Sequence, residues 1–348
     1  AYQDLQTALE QARPSDSGVK EIWIAKGTYL PAAASGPRTA TFQLIDGVSL
    51  YGGFDGRETQ LAQRNVVQNR TILSGDLKGD SDGVMGHNLN KWEDNVYHVV
   101  TGSNLGPATL LDGFQIEHGV ANSVKEGGGL RLTNASPVVR NCLFTLNWGE
   151  RRGGAVDSVD GSPRFEDSTF VNNFTVQRGA ISSRGKRDGT STPLLFLRCM
   201  IRDNRSQPAG GGFCIDSGRN VVAINCTLMN NSHSFWEPGK DVQYGGGAVN
   251  VIGSAFTAIN CLFVNNRADG YGSAVHSMSG SVQLSNCTIY GGSAKRGSEP
   301  AVFATGKVRV RVQNSIIWPD DARDVFEMKD GATLDISHCC VRGAKDLP

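Results

Sequence analysis

Little in this sequence of 348 residues favours a charged partner, a membrane or a metal cluster. Lys plus Arg equals Asp plus Glu at 34 each, so no global field would draw in nucleic acid or an anionic surface. No apolar run approaches the ~18 residues of a membrane-crossing helix, and no signal peptide is visible. The chain begins at Ala1 directly in amphipathic sequence, as a trimmed or mature product would. Proline is sparse at 12, against 43 glycines, a balance that suits many tight turns rather than a disordered linker. No CxxC pair supports zinc. No GxSxG, HExxH, P-loop or dinucleotide fingerprint occurs in usable context.

What is present is a repeat. Asn141-Cys142-Leu143-Phe144, Asp167-Ser168-Thr169-Phe170, Arg198-Cys199-Met200-Ile201 and Asn225-Cys226-Thr227-Leu228 share one pattern. Asn260-Cys261-Leu262-Phe263, Asn286-Cys287-Thr288-Ile289, Asn314-Ser315-Ile316-Ile317 and His338-Cys339-Cys340-Val341 continue it. Recurrence every 24–35 residues or so marks a solenoid. Six of the eight cysteines hold one position of this repeat, which predicts a column of buried free thiols rather than disulfides. A second landmark, Asn147, Asn173, Asn204, Asn231 and Asn266, falls where the chain must turn. Asn there would adopt left-handed backbone and hydrogen-bond along the stack. Glycines such as Gly153-Gly154 and Gly246-Gly247 open a further short strand.

Three short strands per coil predict an all-β, right-handed, three-sided parallel β-helix of about eight coils. Leu5, Ala8, Leu9 and Ala12 share one face of a short N-terminal helix that caps the open end of the solenoid. The expected organisation is a cap with first coils and an irregular excursion over 1–100, then regular coils over 101–348.

The pairing of Gly153-Gly154-Ala155-Val156 with Phe263-Val264-Asn265-Asn266 resembles the repeat of the polymorphic outer-membrane protein family. The coils are also similar to those of the pectate-lyase-like superfamily. The first resemblance implies a bacterial, secreted or cell-surface rod that displays an adhesive face. The second implies action on polysaccharide, though the clustered aspartates of such hydrolases are not evident here.

Candidate functional residues lie in the turns between the Asn landmark and the glycines. Lys125, Trp148, Arg151, Arg152, Arg178, Trp236, Lys240, Tyr244 and Tyr271 place aromatic and basic groups on one edge, with Ser232–Tyr244 as the longest insertion. Aromatic faces stack on sugars and Arg forks bind carboxylates, so a polysaccharide or surface glycan is the expected partner. The bland alternative is a solvated rim. Arg131, Asp157, Asn250 and His276 each precede their coil's Cys or Ser by eleven residues. If Leu130, Val156, Val249 and Val275 point inward, those four point outward onto an exposed sheet. Arg131, Asp157 and His276 are then the candidate catalytic groups of a polysaccharide lyase, with Asn250 binding substrate. An ordinary strand face is the competing account. The run Asp76–Gly83 offers Asp80 and Asp82 to calcium, against a plain solvated loop; no other cofactor is expected.

Overall fold

The computed structural model describes residues 2–343 other than 15, 84–88, 124, 186–191, 208, 235–244, 295–299 and 321–324. The fold is an all-β parallel β-solenoid of about 10 turns with one short helix near the N-terminus. The Cys repeat misses the first turns. The strands Thr71–Ser74 and Phe114–Glu117 belong to the same sheet as the Cys-following strands but carry no cysteine before them. The chain divides into two compact units, Ala1–Phe174 and Thr175–Pro348.

In the first unit, helix α1 spans Leu5–Ala12. Asp4 caps it by accepting from the Thr7 amide, and Leu5, Ala8, Leu9 and Ala12 are its buried face. Gln6 ties it down by donating to the Pro31 and Thr41 carbonyls. Beyond it the coils stack in parallel register: Leu130–Thr133 lies between Val100–Ser103 and Val156–Val159, with Leu130 opposite Val100 and Val156. All three side chains are fully buried. Each contributes about 1.5–3 kcal/mol on leaving water. The polar excursion Asp55–Asn69 is anchored through Arg64, whose guanidinium reaches the buried Asp112 carboxylate at 2.7 Å and the Gly52 carbonyl at 3.1 Å. Arg140 holds the same carboxylate at 2.6 Å.

In the second unit, Val249–Ile259 and Val275–Ser285 pair along their whole length, with Val249 opposite Val275 and Asn250 opposite His276. Cys199, Cys226, Cys261 and Cys287 are buried and free. They are not an apolar stack, however. The Cys226 sulfur accepts from the Cys199 amide at 3.4 Å and lies 3.5 Å from the Phe196 carbonyl, which its S–H can reach. Serine fills the same position: Ser315 accepts from the Cys287 amide at 3.0 Å and donates to the Gln313 carbonyl two residues back, as the Cys226 S–H can to that of Ile224 at 3.4 Å. Cys339, expected in the buried column, is only half-buried, and Cys340 is exposed.

The landmark asparagines also differ in detail from expectation. Left-handed backbone falls on the preceding residue, at Leu146, Asn172, Asp203, Asn230 and Asn265. The landmark side chains instead turn inward and form ladders. Asn147 donates to Asn173 at 3.1 Å in the first unit. In the second, Asn204 donates to Asn231 at 3.0 Å and Asn231 to Asn266 at 3.1 Å. Each ladder satisfies backbone groups that a sharp turn would otherwise bury unpaired.

Candidate functional site

Arg131 with Asp157 and Asn250 with His276, each eleven residues before its Cys or Ser, pair in adjacent coils as the spacing implies. The column they belong to continues through other coils with slips in the count. Arg131 lies opposite Asp157 in the first unit. In the second, Ser182, Cys214, Asn250, His276, Phe303 and Glu327 succeed one another coil by coil. The column is not exposed, which corrects the expectation of a solvent-facing sheet. Asp157, Asn250 and His276 are each 0% exposed. The glycine turns fold back over them: a Cβ on Gly127 would stand 3.1 Å from those of Arg131 and Asp157.

Around Asp157 the first unit gathers charge. Arg131 Nη1 stands 3.7 Å from the Asp157 carboxylate and 3.4 Å from that of Glu126, and it donates to the Glu126 carbonyl at 3.0 Å. Arg152 reaches the other Glu126 oxygen at 3.4 Å. Lys125 and Arg38 both approach the Tyr97 ring, at 5.8 and 4.5 Å from its centre. Trp148 is half-buried in the strand Trp148–Gly149, and Arg151 is exposed. His98 meets the Gly127 carbonyl at 2.9 Å, and burial drives its imidazole down to about 4.

The second unit carries an aromatic corner. His276 Nδ1 lies 2.8 Å from Asn250 Oδ1, an arrangement that places the proton on Nδ1. Its Nε2 is buried without a hydrogen-bond partner among the described residues. Burial, with a smaller contribution from His233, drives the imidazole down to about 3. In front of it the Tyr271 and Phe303 rings stack with centres 4.3 Å apart and planes at 21°. Lys329 Nζ sits 5.8 Å from the Tyr271 ring centre and 5.4 Å from that of Phe303, and it also pairs with Glu327. Gly245 makes room for this corner: a side chain there would put its Cβ 1.8 Å from the Tyr271 carbonyl oxygen. Arg178 is spent on an ion pair with Asp216.

Phe303 and Lys329 are the residues that sequence counting misses. Trp236, Lys240 and Tyr244 lie outside the described residues. In this corner Phe303 is buried and Tyr271 half-buried, whereas Tyr290 opposite Trp318, in another sheet of this unit, is an exposed aromatic pair. The calcium candidates part company. Asp82 pairs with Lys91 at 2.9 Å. Asp80 instead joins Asp76 and Asp94, with oxygens within 4.8 Å of one another. Asp76 already accepts from the Gly79 and Ser81 amides, and Lys78 stands 3.8 Å from Asp94, so a cation would have to compete with that ammonium.

A family model described as a right-handed beta helix region matches residues 114–266. No curated protein matches the sequence. Among solved structures, the chain is similar to the catalytic unit of a thermostable GH87 alpha-1,3-glucanase from Streptomyces thermodiastaticus strain HF3-3. The identity is 14% and the TM-score 0.41, over 96% of this chain and 66% of that one. The chain thus spans 66% of the length of that relative.

Proposed function

We propose that this chain is an extracellular or cell-surface β-helix that binds an acidic glycan along the edge of its second unit. The observation that carries this reading is the Tyr271–Phe303 stack with Lys329 beside both rings. A pyranose lays its apolar face on an aromatic ring, and an ammonium next to that ring receives a uronate or sulfate. The buried His276–Asn250 pair acts behind the surface, holding the Tyr271 ring in place. The strand face that ends at Lys329 runs back through the half-buried Thr305, Met278 and Ile252. At ~4.8 Å per coil those three steps span about 14 Å. The GGAV and FxxN resemblance adds support for display at a bacterial surface.

The alternative reading as a polysaccharide lyase asks for a base that can reach substrate. His276 is fully buried and its basicity is depressed to about 3, so it is a weak base with no open path. Asp157 is equally enclosed. Affinity electrophoresis through gels cast with uronate-containing or neutral polysaccharides tests the proposal. Retardation is expected in a uronate gel only, and none in any gel would overturn it. New ultraviolet absorbance from unsaturated sugar ends in the same incubations would replace binding by lyase chemistry.

A further inference from the structure

A cavity of about 480 Å³ opens in the first unit between α1 and the strands Glu21–Ala25 and Ser49–Phe54. One wall is aromatic. Trp23 stacks on Phe54 with centres 4.8 Å apart and planes at 10°, yet stays 38% exposed, and Tyr2 beside it is 59% exposed. Large aromatic side chains left open to solvent at a concave site lose apolar hydration when a ligand covers them.

The rest of the lining is acidic. Asp4, Glu21 and Glu58 contribute carboxylates, and no Lys, Arg or His lines the cavity among the described residues. Each carboxylate is fixed by a hydrogen bond within the protein. Glu21 accepts from Trp23 Nε1 at 2.9 Å, Asp4 from the Thr7 amide at 2.7 Å, and Glu58 from the Asp55 amide at 2.7 Å. The amides hold Glu58 and Asp4 below the usual carboxylate range, so both remain ionised at neutral pH. Lys26 and Arg57 are engaged by Asp55.

Aromatic faces and fixed negative charge, with no cationic side chain among the described lining residues, suit one chemical class. The geometry points to a binding site for an organic ammonium ion, whose positive charge meets the carboxylates while its alkyl groups cover Trp23 and Tyr2. An anionic sugar is repelled here, so this site is distinct in chemistry from the one proposed for the second unit. The charge requirement also separates it from a merely greasy cleft.

The test compares choline with its uncharged carbon isostere, 3,3-dimethylbutan-1-ol, by titration calorimetry on the full chain. The wild-type chain should bind choline at least about tenfold more tightly than the isostere. Glu21→Gln keeps an acceptor for Trp23 Nε1 and removes only the charge, and it should weaken choline while leaving the isostere unchanged. Tyr2→Ala, at an exposed position that the fold does not need, should weaken both. Equal binding of the two probes, absence of choline binding, or a Glu21→Gln variant that binds choline like wild type would each overturn the proposal.

Discussion

His276 Nδ1 hydrogen-bonds Asn250 Oδ1 across 2.8 Å, and the two residues are direct neighbours in adjacent coils. The pair is buried and the imidazole neutral, which fixes the sign of its pH dependence. The folded-state value of about 3 lies below the ~6.5 of an unfolded histidine. As pH falls below ~6.5, the unfolded chain takes up a proton that the folded chain refuses. Stability therefore declines by about 1.4 kcal/mol per pH unit from this group, until pH approaches about 3. Urea unfolding of wild type and His276→Gln between pH 7 and pH 4 (on the order of half-unit steps) should show the shallower acid loss in the variant.

The asparagine ladder should be costly to interrupt at its middle rung. Asn231 donates to the Ile201 carbonyl at 2.8 Å and to Asn266 at 3.1 Å, and accepts from Asn204 at 3.0 Å. Asn231→Ala leaves several buried groups unpaired and should cost roughly 2–4 kcal/mol in denaturant unfolding. A cost under about 0.5 kcal/mol would mean that water takes over the rung.

The thiol column gives the opposite expectation. Cys226→Ser should change stability by no more than about 1 kcal/mol, because serine reproduces the amide and carbonyl bonds that the thiol makes. Ser315 already does so in its own coil. Burial holds the Cys142 thiol up at about 12, so it should stay unreactive in the native state. Thiol titration of native protein should find Cys340 fast and Cys339 slow, with all eight reacting after denaturation without reductant.

Arg131 stands 3.7 Å from the fully buried Asp157 carboxylate and supplies it with counter-charge. Arg131→Met should lower stability by roughly 1–3 kcal/mol, and the double change with Asp157→Leu should recover most of it. A thermal melt of both variants at neutral pH checks the order.

Much of this fold is legible in the sequence because each coil repeats the same local demands. A small residue such as Cys226 or Ser315 must fit the inner corner, and an Asn such as Asn231 must satisfy the turn behind it. Burial of Asp157 and His276 was not legible, since it depends on where the glycine turns fold rather than on strand alternation. Phe303 escaped for a countable reason. The register slips by one residue between Met278 and Gly280, so counting eleven back from Ser315 lands on Ala304. The same kind of slip separates Cys214, which lies opposite Asn250, from Ile215. Lys329 joins the corner only through three-dimensional proximity, from a coil whose landmarks are weak.

The central claim is that Tyr271 presents a sugar-stacking face beside the Lys329 ammonium. Titration calorimetry with a uronate oligosaccharide that retards the wild-type chain tests it most directly, using Tyr271→Phe, Tyr271→Ala and Lys329→Ala. Tyr271→Phe should bind within about twofold of wild type, while Tyr271→Ala should lose at least about tenfold with the β-sheet circular dichroism spectrum retained. Lys329→Ala should weaken binding and flatten its salt dependence. Wild-type affinity in Tyr271→Ala would contradict the account.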